Sequence, residues 1–280
     1  MEEEPLLLEP LLKKHAEKIA KLRKALGEEI QGSDEDDDVF LLRYVLSSKQ
    51  KTAEALKRIR KRREYLRANS EWLTLDKEAP HDAKFRRYMA SDIHAHGQRD
   101  GGPLHLVRGG VVNSQAIMKC VSKEELSQWF VHQKLQAWEV CDRLTRESGR
   151  IIKLVSIIDL NNFSMWSADS TFRQALGDSS KLSENLFPQL QGKTVILHPG
   201  AAFSMMFKIF SLLMSKAMVE KVATCSGTYH TGKTINDCPY VARTFESPDL
   251  VPSYAGGGCH CTERGGCVHG VPNEQTEMLQ

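Results

Sequence analysis

The feature that most constrains this chain is a twenty-residue, mostly apolar run, Val195 to Met214 (VILHPGAAFSMMFKIFSLLM). A membrane-spanning helix needs about 20 such residues, so length alone would admit one. Two internal features argue against it. His198-Pro199-Gly200 breaks any helix, and Lys208 sits in the middle of what remains. The break divides the run into a strand, Thr194–Leu197, and a helix beginning near Ala201. In that helix Ser204, Lys208, Ser211 and Ser215 recur at spacings of four, three and four. They draw a narrow polar stripe along a helix otherwise rich in Phe and Met. Such a helix belongs either to a core or to a surface that meets something apolar.

The rest of the chain is ordinary for a globular protein. Of 280 residues 41% are hydrophobic and 26% charged, and the net charge is only +2. A balance this close to neutral names no polyanionic partner, and no nucleic acid is expected. The N-terminus, MEEEPLLLEP, is acidic ahead of its short apolar run, the wrong sign for a secretory leader. Seven cysteines without such a leader predict reduced thiols and a cytoplasmic location. Charge is concentrated locally. Asp34 to Asp38 is acidic, and Lys57 to Arg67 holds seven basic residues in eleven. The basic run reads first as a solvated helix face, and otherwise as a surface for docking on anionic membranes.

Leu8, Leu11, Leu12, Ala16, Ile19 and Leu26 have helical spacing, and Gly27 can end that helix. Ser33 or a following Asp caps a second helix, Val39–Leu46, and Thr52 caps a third. Residues 1–78 therefore form a helical region. Leu75 to Gly102 is polar and reads as a connection with one short helix. The period then changes. Leu104–Val107 is a strand, and Ser122-Lys-Glu-Glu125 is a capping box that opens a long helix to about Ser148. Ile151–Ile158 is a buried strand with Asp159 at its end, the next helix lies near Asp169–Leu186, and a last strand lies near Val222–Cys225. Strands alternating with helices predict an α/β fold whose sheet is mixed and largely parallel, over residues 79–258. Residues 259–280 are a Cys- and Gly-rich tail.

Several motifs carry chemistry in other proteins. Gly227 to Thr234 fits the phosphate-binding pattern G-x-x-x-x-G-K-[ST], with Lys233 placed to reach phosphates. The segment from Ile235 to Pro248 contains Pro239 and has little helical periodicity, which argues for a polar loop; a P-loop phosphotransferase is the alternative from another class. Cys259, Cys261, Cys267 and His269 are zinc-ligand types at a spacing unlike common structural sites, so no metal is expected. His94 and His96 beside Asp92 read as a solvent loop, and Asp159 as a turn former. No G-x-S-x-G or similar motif accompanies Asp159, and no catalytic residue is expected.

Taken in order, the residues resemble the CRAL-TRIO family of phosphatidylinositol/phosphatidylcholine transfer-like proteins. Asp38-Val-Phe-Leu-Leu-Arg43-Tyr is similar to the family's LLRF signature, and Asp100-Gly-Gly-Pro103 to its D-x-G-R-P turn, with Gly102 in place of Arg. Ile157-Ile-Asp-Leu160 resembles V-x-D-L, Asn185-Leu-Phe-Pro188-Gln-Leu resembles N-Y-Y-P-E-R, and Thr194 to Lys221 tracks a strand, an N-A-P turn and a gate helix. Val251-Pro-Ser-Tyr-Ala-Gly256-Gly257 resembles L-P-x-x-x-G-G, and the Cys259–Cys267 tail is similar to that of some plant-type members.

The resemblance implies flanking helices and a sheet enclosing an apolar lipid cavity, closed by a gate helix from about Phe203 to Met218. It implies a non-enzymatic monomer with no cofactor beyond a bound phospholipid, in transient contact with membrane surfaces. On this reading Ser164, Phe203, Met206, Phe207 and Phe210 contact lipid, and Lys49, Gln189, Met218 and Lys221 surround its headgroup. Gln189 and Leu190 replace the family's Glu-Arg pair and Met218 its Thr, which weakens inositol selectivity. Other hydrophobic ligands remain open, among them tocopherol, retinoid, a sterol-like molecule or haem, with His198 and Tyr240 conceivable iron ligands.

Overall fold

The computed structural model describes residues 6–161, 163, 168–199, 203, 207–208, 211–212, 215–225, 238, 244–250 and 258. Three helices open the chain: α1 (Leu8–Leu26), α2 (Asp38–Ser47) and α3 (Thr52–Ala68). α1 buries His15, Ile19, Leu22 and Leu26, and Gly27 ends it at φ 51°, a left-handed angle that favours glycine. Asp37 caps α2, its carboxylate accepting from Phe40 N at 2.8 Å. All residues from Val39 to Val45 in α2 are buried, so this helix is surrounded on every side. Thr52 is not a cap: it is the first helical residue of α3, behind Lys51, which makes no capping bond.

The arginines of α3 are engaged within the fold. Arg58 pairs with Glu54, Arg60 with Glu29 and Arg63 with Glu35. Arg62 is buried. Its Nη1 donates to Leu186 O at 2.6 Å, and its guanidinium lies 4.8 Å from the Trp138 ring centroid and 5.7 Å from those of Phe40 and Phe187. Arg62 and Arg63 are thus turned into the fold, while Lys57, Arg60, Lys61 and Arg67 are exposed and form the solvated face that the composition predicts.

Helices α4 (Asp82–Tyr88) and α5 (Ser114–Cys120) flank the first strands, and α6 (Lys123–Ser148) is the long helix. Its capping box is formed: Glu125 N donates to Ser122 Oγ at 3.1 Å, and Ser122 N to Glu125 Oε2 at 2.6 Å. Gly149 ends it in the left-handed conformation. Asp169 caps α7 (Ser170–Leu186) through Thr171 N and Phe172 N. One apolar cluster joins α1–α3 to α6 and to the Leu186–Leu190 segment.

The sheet runs β1-β2-β3-β4-β5: Ser91–Gly97, Pro103–Arg108, Leu154–Asp159, Gln191–Leu197 and Val222–Thr224. β1 pairs antiparallel with β2, and the other three pairings are parallel. The mixed, mainly parallel sheet is the one the alternating pattern predicts. β1 is new, however. It crosses the segment read as a polar connection, so His94 belongs to a strand rather than a solvent loop. Leu104, Leu106, Ile157, Val195 and Leu197 lie on one face of the sheet and pack with Cys225, Cys238 and Phe245. After β2 the chain turns at Gly110, where a Cβ would stand 1.6 Å from Asn161 O, so only glycine fits.

Cys225 and Cys238 are joined as a disulfide, their Cα atoms 5.8 Å apart, while Cys120 and Cys141 are free. Uniformly reduced thiols therefore do not describe this pair. Both cysteines are buried in the cluster that holds Phe245.

Arg62→Ala should destabilise the fold by about 2–4 kcal/mol, because it removes the shorter of the two hydrogen bonds to the buried Leu186 carbonyl, the other coming from Tyr44, and empties an aromatic cage. Urea unfolding at constant m-value measures this. A loss below about 0.5 kcal/mol would show the contacts to be passive.

Candidate functional site

β4 links two groups of residues. At its N-terminal end, Gln189 turns in the left-handed region at φ 60° and donates from Nε2 to Ser47 Oγ at 3.1 Å. Ser47 ends α2, and Lys49, also left-handed at φ 49°, lies two residues beyond it and is exposed. Two residues after Gln189, Gln191 O accepts from Lys221 Nζ at 2.6 Å. Burial holds the Lys221 pKa below the usual lysine value, against the opposing pull of Glu184. One Glu184 oxygen, Oε1, and the Ser48 hydroxyl are buried without a hydrogen bond. Gln189 is thus tied to the end of α2, two residues ahead of Lys49, and Lys221 to Gln191, two residues past Gln189. Met218 is half-buried on the turn before Lys221, which Ser215 caps through Met218 N at 3.2 Å.

At the C-terminal end of β4, His198 Nδ1 donates to Asp159 Oδ1 at 2.7 Å, and Asn161 N donates to the same oxygen at 2.9 Å. Asp159 therefore forms the turn expected of it, and it also anchors the first residue of the helix-breaking HPG segment. Beyond that break Phe203, Phe207, Lys208 and Ser211 are helical. The Phe203 and Phe207 rings stack, 5.6 Å between centroids and 19° between planes. Lys208 is exposed, and Leu212 is 80% exposed. An apolar side chain so exposed is costly in water and at home at an apolar surface. The strand between the two ends advances about 20 Å.

The sheet face opposite the Cys225 cluster carries two rows. The register aligns Ile93, His105, Ser156, Thr194 and Val222 in one, and Ser91, Val107, Ile158, Ile196 and Thr224 in the next. Ile93, Val107, Ile158 and Val222 are half-buried. His105 is held by Ser91 Oγ at 2.8 Å on Nε2 and by Ser156 Oγ at 3.4 Å on Nδ1. Gln191 Nε2 reaches Ser156 Oγ at 3.2 Å, which extends the polar line across to β4. Burial drives the His105 pKa well below the usual value, reinforced by Lys134 and His94, so the ring is neutral. Lys134 of α6 is itself pushed down by burial to about 8. Sequence reading passed over His105 and Lys134. The only signal was a lysine at an inward helical position.

Ser164, Met206, Phe210 and Tyr240, the Gly227–Thr234 loop and the Cys259–His269 tail lie outside the described residues. Among the described residues no three His, Cys, Asp or Glu side chains cluster as a metal site, and no helix is long and apolar enough to cross a membrane.

The CRAL/TRIO domain model matches residues 93–241, over half of the chain. The chain belongs to this family. A CRAL-TRIO domain-containing protein of Saccharomyces cerevisiae is 25% identical over 143 residues, 50% of this chain and 46% of that protein. The phosphatidylinositol/phosphatidylcholine transfer protein SFH4 of Arabidopsis thaliana is 21% identical over 260 residues, 88% of this chain and 40% of that one. The chain spans about half or less of the length of such relatives. The crystal structure of Sfh5 superposes with a TM-score of 0.53 at 14% identity, covering 77% of this chain and 79% of that one, and so shares the fold.

In ligand-free protein Lys134→Met should stabilise the fold by about 2 kcal/mol at pH 7, because it removes a partly desolvated ammonium that has no hydrogen bond or ion pair with another described residue. The native pKa is lowered, so the cost is full below about pH 8 and fades as the pH rises toward about 10.4, where unfolded lysine also loses its proton. Denaturation of both proteins between pH 7 and pH 10 checks this. A difference independent of pH would show Lys134 to be solvated.

Proposed function

We propose that this chain binds an amphiphilic lipid, shields its apolar part and exchanges it between membranes, without catalytic chemistry of its own. One observation carries the reading: β4 joins a cationic corner at one end to a stacked aromatic helix at the other. An amphiphile needs both, a charged contact for its headgroup and an apolar cover for its tail. Burying a tail is worth about 0.8 kcal/mol per CH₂, so the cover must be complete while the lipid is in water. The half-buried Val107, Ile158 and Val222 are suited to line the enclosed side.

Relatives named as phosphatidylinositol/phosphatidylcholine transfer proteins support a phospholipid as the ligand. Lys49 and Lys221 supply cations for a phosphate, while Gln189, bonded to Ser47, offers only a neutral amide. A charge-assisted hydrogen bond is about twice as strong as a neutral one, so selectivity for inositol is weakened and not lost. Phe203 and Phe207, with Met206 and Phe210 in the same sequence stripe, cover the tail in the closed state and meet the membrane interface in the open one. The protein acts from the cytoplasm as a monomer.

Phe203→Asp with Phe207→Asp should abolish transfer of labelled phosphatidylcholine between vesicles while circular dichroism stays native; undiminished transfer by the folded variant would remove the gate assignment. Lys49→Ala with Lys221→Ala should slow phosphatidylinositol transfer about tenfold more than phosphatidylcholine transfer. Equal losses would refute the headgroup corner. Native mass spectrometry of the purified protein separates a phospholipid from a retinoid, a tocopherol or haem.

A further inference from the structure

Lys134 is the exception on the inward stripe of α6. The stripe runs Val131, Lys134, Trp138, Cys141 and Thr145, at spacings of three and four, and the other four residues are buried. α6 packs on β1, β2 and β3, which carries Lys134 toward the face that presents His105. An ammonium taken from water needs a carboxylate or several acceptors to offset its lost hydration. Lys134 makes no hydrogen bond or ion pair with another described residue.

Its described surroundings are basic or neutral. His105 is within electrostatic reach, with both ring nitrogens already held by Ser91 and Ser156. The Cys141 thiol, pushed up to about 12 by burial, stays protonated and offers no charge. Yet Lys134 is only half-buried, so its side chain keeps open surface at an inward position. A cation with open surface, inward placement and no counter-charge is a site for an anion. His105 on β2 is three strands from β5, which begins just after Lys221, a separation of about 14 Å. The two cationic places are therefore distinct.

We propose that Lys134, with His105 beside it, forms an anion subsite between α6 and the sheet that takes the carboxylate or phosphate oxygens of an acidic amphiphile. The inference rests on the lipid-carrier reading and deepens it: the ligand's charge, and not only its apolar length, selects what enters. Lys134 sets that preference, and His105, fixed by its two serines, supplies a rigid polar wall next to it.

The test titrates the delipidated full chain with oleate and with oleyl alcohol, the same hydrocarbon without the charge. The wild type should bind oleate about tenfold more tightly. Lys134→Arg should keep the preference, and Lys134→Met should bring the two ligands within about threefold of each other. Lys134→Gln, which keeps a polar head, repeats the measurement if the Met variant misfolds. Oleyl alcohol binding without any preference for oleate overturns the anion subsite but leaves the lipid reading standing. So does a preference that survives both neutral substitutions in folded protein. Failure of both amphiphiles to bind overturns the lipid reading as well. Inorganic phosphate, titrated alone, distinguishes the source of the charge. Lys134-dependent phosphate binding with no oleate preference would show a free-anion site and refute the amphiphile.

Discussion

Trp138 and the two guanidinium groups held against it are the point on which this fold turns. Arg62 of α3 lies 4.8 Å from its ring centroid and Arg43 of α2 lies 5.7 Å away. Neither charge reaches bulk water. Arg43 is fully buried, its Nε bonded to Asp142 at 3.0 Å and its Nη2 to Thr145 at 2.8 Å. Arginine stays charged under such burial, so the cation must be satisfied where it is, by carboxylate, carbonyl and ring face. Each of these partners belongs to α6, α2 or the end of α7. α2 and α3 are thereby fixed to the helices that flank the sheet, and Ser47 at the end of α2 meets Gln189.

Local chemistry was the part of the fold that could be read from the amino acids. The capping box at Ser122, the glycine after α1, the aspartates ahead of α2 and α7, and the four parallel strands each rest on a few neighbouring residues. β1 escaped because Ser91–Gly97 has no apolar alternation; its strand character comes from pairing with β2, which no window of seven residues contains. α5 escaped for a similar reason, being seven residues long and covered by α4 and α7. The basic run on α3 is a solvated face in the main, with Lys57, Arg60, Lys61 and Arg67 exposed; what its composition does not show is that Arg62 turns inward to Leu186 and Arg63 to Glu35.

The candidate site divides along the same line. Lys49, Gln189 and Lys221 are named by a resemblance of motifs; what the amino acids alone do not show is the bond of Gln189 to Ser47 and of Lys221 to Gln191. Lys134 and His105 were not legible, since nothing in a single helix or strand marks a charge that lacks a partner across a sheet. Asp159 was read as a turn residue, which it is. What sequence could not supply was His198, thirty-nine residues away, on the same oxygen.

The bond from Arg62 to Leu186 spans 124 residues of chain. During synthesis at about 5–20 residues per second, that interval is on the order of ten seconds. Throughout it α2 and α3 exist without the ring faces and carbonyl that hold their buried cations, and α1 and α2 lack the apolar cover that α6 provides. The first helices to leave the ribosome therefore wait for residue 186 before the buried cation of α3 has its carbonyl. A nascent chain stalled before residue 186 would present its most apolar helix, α2, to whatever is nearby.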